Sequence, residues 1–599
     1  MVCRRNRVVL ILLLAILVCS VILVLWQGQI PEKPTDIQPG DYSSTIEYTE
    51  QIIQRTKKRY HLPSVSVSLI SDQEIVWEET FGVANIEEDS PAEPDTVYKF
   101  WSVAKVFTAI EIMRLVEEGL VDLDIPITAY LPDFAIQSRF QDSEPITIRR
   151  ILTHRSGLPR NGCHRVDFGP DNLLALVESL EDCYLAYPVG YRYKYSNIGF
   201  DILGYIIQEK RAALFPDYMR EKMLLPIGMG NSTFLRSQIP AQLEIAVGYE
   251  YYDGEYYPYA QNDIANFPSG NLYSTIEDMG QFIKFIFRGG ETGGEQFINP
   301  KILESMFVNQ LSSARDPQLM GLGWKTAHVL GSERLIWHDG GPSEGIGALV
   351  AILPERKLGV ILCANGTNFD GNVSVTLALD ILELMLETKY GVIAKPEETQ
   401  RIVEIEDAIL EEYVGKYIAF GEVMEVFLRG SQLMGSIQGL TFNLDPISET
   451  TFQPQHWLAD IGLASLLGVP IDLRQLKIEF LVGDESKDDI MIINIHNISY
   501  EICPRYPNIE ENPLLWEELI GKYDLVERPP SGAVNGDYLG NATIWMENNI
   551  LQMGGIVGPI LPINETEVII LTGPFAGETM VIEAGTGNIY HQSIIFQQR

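Results

Sequence analysis

The stretch YKFWSVAKVFTAI, residues 98–110, predicts an apolar helix that carries a serine and a lysine on one face. An α-helix turns once in 3.6 residues, so the side chains of Ser102 and Lys105, three positions apart, can meet. Trp101 and Phe107 flank this pair with large apolar side chains. An ordinary amphipathic helix with one exposed lysine fits the same positions, because any long chain contains several S-x-x-K matches by chance. The remainder of the chain must decide between the two interpretations.

Two later segments carry polar side chains of the kind that acyl transfer needs. YPVGYRYKYSNIGFDILGYII places Tyr195 two residues before Asn197, at the start of a predicted amphipathic helix. RLIWHDGGPSEGIGALVAILPE places His338 and the glycine pair Gly340 and Gly341 between two predicted strands. Glycines there let a substrate approach the backbone and leave N–H groups free to face an anion. A chance Y-x-N match and an ordinary hairpin turn are the alternatives.

Together these residues predict nucleophilic catalysis. A serine hydroxyl is a weak nucleophile and needs a base within hydrogen-bonding distance. Lys105 can act as that base if burial lowers its pKa, because desolvation disfavours the ammonium form. The Tyr195 phenol would pass the proton to the leaving group. The backbone N–H groups of Ser102 and Gly341 would hold the developing oxyanion.

SVAK, YSN and HDG, in this order, resemble the S-x-x-K, Y-x-N and K/H-x-G motifs of the serine β-lactamase and penicillin-binding-protein superfamily. The flanking segments ILTHRSGLP (151–159) and SGNLYSTIEDMGQFIKF (269–285) are similar to the branch that contains class C β-lactamases, D-aminopeptidases, D-alanyl-D-alanine carboxypeptidases and related esterases. The resemblance spans about residues 45–390. It implies an α+β fold, an antiparallel sheet flanked by helices plus an all-helical region.

The resemblance also implies a role for each matching residue. It assigns Ser102 as the acylated nucleophile, Lys105 as the general base and Tyr195 as the second proton-transfer group. It assigns four residues to substrate binding: Asn197, His338, Gly340 and Gly341.

Two positions depart from the pattern of many β-lactamases. His338 stands where lysine is common, and a neutral imidazole holds a substrate carboxylate more weakly than an ammonium does. Asp339 stands where a small residue is common, and we expect it to add local negative charge. Both departures favour a peptidase or esterase over a dedicated β-lactamase. The other alternative is a penicillin-binding sensor or scaffold with little turnover.

The pattern of strands and helices predicts one long domain over residues 45–393. PSVSVSLIS and EIVWEETFGVA precede its helices, and RLIWHD, GALVAILP and LGVILCA follow them, which indicates a sheet assembled from both ends of the domain. LALDILELMLETKYG predicts a closing helix capped by Gly391. GYEYYDGEYYPYA predicts a hairpin that turns at Asp253-Gly254, and His154 is interpreted as a buried structural residue.

The chain changes character after a predicted linker over residues 394–405. LEEYVGKY (410–417) recurs as WEELIGKY (516–523), MGSI at 434 recurs as MGGI at 553, and PISET at 446 recurs as PINET at 562. These repeats predict two small all-β barrels, residues 406–505 and 506–599. They resemble the lipocalin-like barrels of some D-aminopeptidases and archaeal peptidases. In such relatives a barrel loop can shape the active-site mouth, but these residues identify no such loop.

The N-terminal residues predict a membrane anchor. VVLILLLAILVCSVILVLW, residues 8–26, is uncharged and almost long enough to cross a bilayer. The arginines of residues 1–7 predict a cytoplasmic tail, so residues 27–44 become an extracytoplasmic linker and the catalytic domain lies outside the cell membrane. A cleaved signal peptide and a secreted protein are the alternative.

Composition narrows the partners. A formal net charge of −37 disfavours nucleic acid and anionic lipid headgroups as partners of the soluble part. Eight histidines without H-x-H or H-E-x-x-H spacing, and no clustered cysteines, predict no metal and no cofactor. Cys163 and Cys183 can form a disulfide or stay free. We therefore expect a small peptide, lactam or ester substrate, while the oligomeric state is open.

Overall fold

The described part of the chain covers most of the predicted catalytic domain and separate segments of the C-terminal units. The computed structural model describes residues 31–140, 143–162, 172–260, 263, 267–310, 319–393, 403–419, 422–437, 439–455, 476–482, 489–495, 498–505, 521–527, 542–547, 550–554, 558–562, 567–570, 578–582, 589–591 and 594–598. The predicted anchor at 8–26 lies outside these residues. Among the described residues, no helix combines the length and the hydrophobicity that a membrane span needs.

A seven-stranded antiparallel sheet organises the catalytic domain, and both ends of the domain contribute to it, as predicted. The strands are β1 Ser64–Ser71, β2 Glu74–Asn85, β3 Ser90–Pro91, β4 Lys325–Val329, β5 Glu333–Gly340, β6 Gly347–Leu353 and β7 Leu358–Ala364. Their spatial order in the sheet is β4-β5-β6-β7-β1-β2-β3. The N-terminal strand β1 pairs with β7, so residue Val67 lies opposite Leu362 across nearly 300 positions of sequence.

Helices cover both faces of this sheet and form a separate region beside it. The helices are α1 Ser43–Arg59, α2 Ala104–Glu117, α3 Ile148–Leu152, α4 Leu173–Glu178, α5 Asn197–Arg211, α6 Phe215–Met219, α7 Leu225–Ile227, α8 Phe267–Gly270, α9 Ile276–Phe287, α10 Pro300–Ser305, α11 Gly371–Tyr390 and α12 Asp407–Glu412.

The sheet separates two hydrophobic cores, and the side chains of β1 point alternately to its two faces. Val65, Val67 and Leu69 point into the core under α1 and α11. Successive residues of a strand face opposite sides, so the intervening serines face the other way. There Ser64 Oγ lies 3.0 Å from the buried Tyr98 hydroxyl. The second core packs α9 and the helical region around α2, which carries the serine-lysine pair, and thereby fixes that helix against the sheet.

Several local predictions are confirmed. The closing helix α11 ends at Gly391, whose φ of 65° is a left-handed conformation that favours glycine. The tyrosine-rich segment forms a hairpin, Tyr249–Tyr252 with Glu255–Pro258, around Asp253-Gly254. Of the two states that the sequence left open for Cys183, the structure shows the disulfide-bonded one; Cys163, which could pair with it, lies outside the described residues.

The two C-terminal units place their repeated segments on corresponding strands. GKY begins the first strand of each unit. MGSI lies on the third strand of the first unit, and Met553 and Gly554, which begin MGGI, end the third strand of the second. The prolines of PISET and PINET end the fourth. The first unit is an eight-stranded antiparallel sheet: β8 Gly415–Ala419, β9 Glu422–Arg429, β10 Gln432–Ile437, β11 Leu440–Pro446, β12 Thr451–Gln455, β13 Leu476–Leu481, β14 Ile490–Ile495 and β15 Ile498–Pro504.

The second unit closes into a barrel. Its first and last strands pair in antiparallel fashion, from Tyr523 opposite Gln598 onward. One of the two predicted barrels is thus closed in the described residues. The strands are β16 Gly521–Glu527, β17 Ala542–Glu547, β18 Ile550–Gly554, β19 Gly558–Pro562, β20 Glu567–Ile570, β21 Thr579–Ile582, β22 Ile589–His591 and β23 Ile594–Gln598.

Candidate active site

Ser102 lies on a tight turn that leads into α2. The turn is a 3-10 segment, Trp101–Val103, and Trp101 has a φ of 46°, a left-handed conformation that is costly for an aromatic residue. The Lys99 ammonium lies 3.9 Å from the centroid of the Trp101 ring and 3.6 Å from a carboxylate oxygen of Glu344. An ammonium over the face of an indole ring is attracted to it, so the contact of Lys99 with Trp101 stabilises the strained turn.

Three contacts determine how Lys105 can act. Its amine Nζ lies 3.1 Å from Ser102 Oγ, 2.8 Å from Asn197 Oδ1 and 2.6 Å from the Ser269 carbonyl oxygen. The amide and carbonyl oxygens only accept hydrogen bonds, so they take two N–H groups. A neutral amine then has one lone pair left, directed at the Ser102 hydroxyl. This is the geometry of a base that is ready to take the serine proton.

Burial favours the neutral form of Lys105. Its side chain is completely buried, and desolvation lowers its pKa well below the usual range. The positive charges of Arg160 and Lys325 lower this pKa further, while the carboxylates of Asp201 and Asp339 raise it. The buried position of Lys105 on α2 therefore favours the neutral amine that a general base requires.

Tyr195 and Asn197 complete the cluster around Ser102. The Tyr195 ring centroid lies 4.8 Å from Lys105 Nζ. Burial raises the pKa of the Tyr195 phenol, while Arg160 and a hydrogen bond with Ser102 lower it. The phenol is therefore protonated at neutral pH and able to donate. Asn197 begins α5, and its Nδ2 donates to Asn161 Oδ1 at 2.9 Å, which orients its Oδ1 toward Lys105.

His154 has the structural role that the sequence predicted. It is buried, and its Nδ1 accepts a hydrogen bond from the Ser196 backbone N–H at 3.1 Å. Its ring centroid lies 4.3 Å from that of Tyr195. Burial lowers its pKa well below the usual range, so it is a neutral ring that packs against the tyrosine.

The end of strand β5 lies against the Ser102 turn. A Cβ on Gly340 would come 2.2 Å from the Phe100 carbonyl oxygen and 3.1 Å from the Ser102 backbone nitrogen. Only glycine permits this approach. Gly341 has a φ of 86°, which again favours glycine. The strand thereby brings the Gly340 backbone to the serine, directly before Gly341, whose N–H is the predicted oxyanion donor.

His338 and Asp339 together contribute little net charge to the site. His338 is buried, and desolvation lowers its pKa to about 3, so its imidazole is neutral. Asp339 forms an ion pair with Lys325. Asp339 carries the negative charge that the sequence predicted, and Lys325, which the sequence did not place beside it, compensates that charge.

Sequence reasoning missed three groups that contact the cluster. Arg160 places its guanidinium carbon 5.0 Å from the Tyr195 ring centroid, Asn161 orients Asn197, and the Ser269 carbonyl holds Lys105. Arg160 and Asn161 directly follow ILTHRSGLP, and Ser269 begins SGNLYST, so their position beside segments that resemble the family was the available signal. Their contacts depend on loop geometry, which the sequence does not display.

A family model described as Beta-lactamase matches residues 49–383, which is more than half of the chain. With the fold and the Ser102 cluster, this match shows that the chain belongs to the β-lactamase family of serine hydrolases, within the superfamily that includes penicillin-binding proteins.

Two curated relatives each match about half of the chain. Unguisins hydrolase ungD' of Aspergillus campestris is 27% identical over 363 residues, which cover 56% of this chain and 65% of that protein. Beta-lactamase-like protein 2 of Dictyostelium discoideum is 30% identical over 311 residues, 50% of this chain and 54% of that protein. The matched region thus spans less than two thirds of either relative.

Two solved structures are similar over 77% of the chain. The octameric penicillin-binding protein homologue from Pyrococcus abyssi has a TM-score of 0.51 at 23% identity and is covered completely. The structure of SurE with D-Leu has a TM-score of 0.51 at 17% identity and is also covered completely. These similarities concern the fold.

Proposed function

We propose that this protein is a membrane-anchored, extracytoplasmic serine hydrolase that forms an acyl-enzyme on a peptide of D-amino acid type or on an ester. One observation carries the proposal: the buried Lys105 amine lies 3.1 Å from the Ser102 hydroxyl while two acceptors occupy its N–H groups. A hydroxyl next to a neutral, oriented amine is an activated nucleophile.

Acylation follows from this arrangement. Ser102 Oγ attacks the substrate carbonyl carbon, and its proton moves to Lys105 Nζ. The backbone N–H groups of Ser102 and Gly341 receive the oxyanion of the tetrahedral intermediate. The protonated Tyr195 phenol donates to the leaving nitrogen or oxygen and regains its proton from Lys105. The carbonyl–leaving-group bond breaks, and Ser102 carries the acyl group as an ester.

Deacylation uses the same groups in reverse. Water attacks the acyl carbon and gives a proton to the base formed by Lys105 and Tyr195. The ester bond to Ser102 breaks, and Oγ regains a proton. Because the same groups take and return the proton, each turnover restores the starting charge state.

The charges of the site support a peptide or ester rather than a dedicated lactam substrate. His338 is neutral, and Lys325 is paired with Asp339, so neither provides a strong hold for a substrate carboxylate. The Aspergillus relative is named a hydrolase, and SurE, which is similar to this chain in fold, was solved with D-Leu; the second point supports a D-amino acid type of substrate.

Replacing Ser102 with alanine should abolish covalent labelling by a fluorophosphonate, because no other group receives the adduct. Intact-protein mass spectrometry and in-gel fluorescence measure this. Ser343→Ala, which alters a half-buried serine on the loop after Gly341, is the matched control and should label normally. Undiminished labelling of Ser102→Ala would refute the proposed nucleophile.

A substrate panel separates this proposal from its alternatives. D-alanyl peptides and short p-nitrophenyl esters should be turned over faster than nitrocefin. Rapid nitrocefin hydrolysis would instead indicate a β-lactamase. A mass adduct that persists for hours without turnover would indicate a penicillin-binding sensor.

The membrane anchor at residues 8–26 is part of the proposal, and it is supported by an uncharged run of nineteen residues behind basic ones. Alkaline carbonate should leave the full chain in the membrane pellet and a chain starting at residue 28 in the supernatant. Release of the full chain by carbonate would contradict anchoring.

The matching strand positions of the repeats support the proposal that the first C-terminal unit is also a barrel, and that both are lipocalin-like. In the first unit, a bridge between Tyr417 and Arg505 joins the edge strands β8 and β15.

A further inference from the structure

Glu578 of the second barrel reaches the active site of the catalytic domain. It directly precedes β21, and its carbonyl oxygen accepts from the Ile570 backbone N–H at 3.0 Å, which ties it to β20. Its carboxylate oxygen Oε1 lies 2.9 Å from Lys194 Nζ and accepts from the Arg160 backbone N–H at 2.7 Å. Both charged side chains are at least 95% buried.

The two groups that Glu578 holds carry the catalytic loop. Lys194 immediately precedes Tyr195, and its own backbone N–H donates to the His154 carbonyl at 2.7 Å. The backbone carbonyl of Arg160 accepts a hydrogen bond from the Asn197 backbone N–H at 2.7 Å. The Arg160 guanidinium lies over the Tyr195 ring. One carboxylate oxygen thus joins the two segments that position Tyr195 and Asn197.

We propose that Glu578 is a positioning residue, and that the Glu578–Lys194 ion pair makes the second barrel part of the active site by fixing Tyr195 for proton delivery to the leaving group. A buried ion pair costs desolvation energy, and losing one partner leaves an uncompensated charge. Because Lys194 directly precedes Tyr195, the ion pair can fix the orientation of the tyrosine. The proposal rests on the proposed acyl-enzyme function.

Leaving-group dependence tests this role. A p-nitroanilide needs a proton to leave, whereas p-nitrophenolate does not. The ratio of kcat/KM for D-alanyl-p-nitroanilide to that for D-alanyl p-nitrophenyl ester therefore reports proton delivery with the acyl group held constant. We expect Glu578→Gln to lower this ratio about tenfold, a partial loss of the roughly 10²–10⁴-fold that a positioned proton donor contributes. Glu567→Gln removes the same charge from the neighbouring strand and should leave the ratio unchanged.

The double variant Glu578→Gln/Lys194→Met guards against misfolding, because it leaves no buried charge without a partner. We expect Glu578→Gln, Lys194→Met and the double variant to lower the ratio by similar factors, since each abolishes the same contact. Two results would overturn the proposal. One is a wild-type ratio in a double variant that still labels with fluorophosphonate. The other is a loss in the double variant equal to the product of the losses in the two single variants. Failure of wild-type labelling would instead count against the acyl-enzyme function.

Discussion

Substituting Lys105 with methionine should lower the rate at which Ser102 is acylated by about 10³-fold, within the usual range for the loss of a general base. Methionine fills much of the same buried space but has no lone pair that can take the serine proton. It also leaves the acceptors Asn197 Oδ1 and Ser269 O without their N–H partners. Stopped-flow acylation by a p-nitrophenyl ester measures the effect.

Lys99→Met is the matched control. Lys99 is equally buried and lies at the start of the same segment, but its ammonium contacts Trp101 and Glu344 rather than Ser102. Both variants lose a buried lysine, so both should be less stable to heat. Only Lys105→Met should lose the chemistry by three orders of magnitude. Acylation of Lys105→Met within tenfold of wild type would contradict the assigned base.

Gly340→Ala should lower kcat/KM by about 10²–10³-fold, as expected when a donor to an oxyanion is displaced. The added Cβ would come 2.2 Å from the Phe100 carbonyl oxygen, so β5 or the Ser102 turn must move apart. Steady-state kinetics with the preferred ester measures the loss. The effect should fall mainly on kcat, because the oxyanion forms in the transition state.

Gly230→Ala is the control for this substitution, because a Cβ there would have no heavy atom within 4 Å. It should behave like the wild type. A Gly340→Ala enzyme that folds and retains wild-type kcat would show that the end of β5 does not form the oxyanion site.

The local elements of the catalytic domain were predictable because the spacing of their apolar residues and the identity of their turn residues determine them. The alternation of β1, the glycine that ends α11 and the Asp253-Gly254 turn each depend on neighbouring residues. The Ser102–Lys105 pair was predictable for the same reason, since helix geometry alone brings positions i and i+3 together.

Contacts between residues far apart in the sequence could not be predicted from it. The Ser269 carbonyl reaches Lys105 across 164 positions, and Glu578 reaches Arg160 across 418. Nothing in PFAGETM distinguishes Glu578 from the many acidic residues of this chain. The compensation of Asp339 by Lys325 was missed similarly, because the two residues meet only through the pairing of β4 with β5.

The pH dependence of Ser102 acylation tests most directly whether Lys105 is a neutral base at rest. A base must be deprotonated to act, so the acylation rate rises with pH through the pKa of Lys105. Because burial lowers that pKa, we predict a wild-type rate that reaches its plateau well below 10.5, the ordinary lysine value. A rate that still rises tenfold per pH unit up to pH 10 would show that Lys105 is charged at rest and would contradict the mechanism.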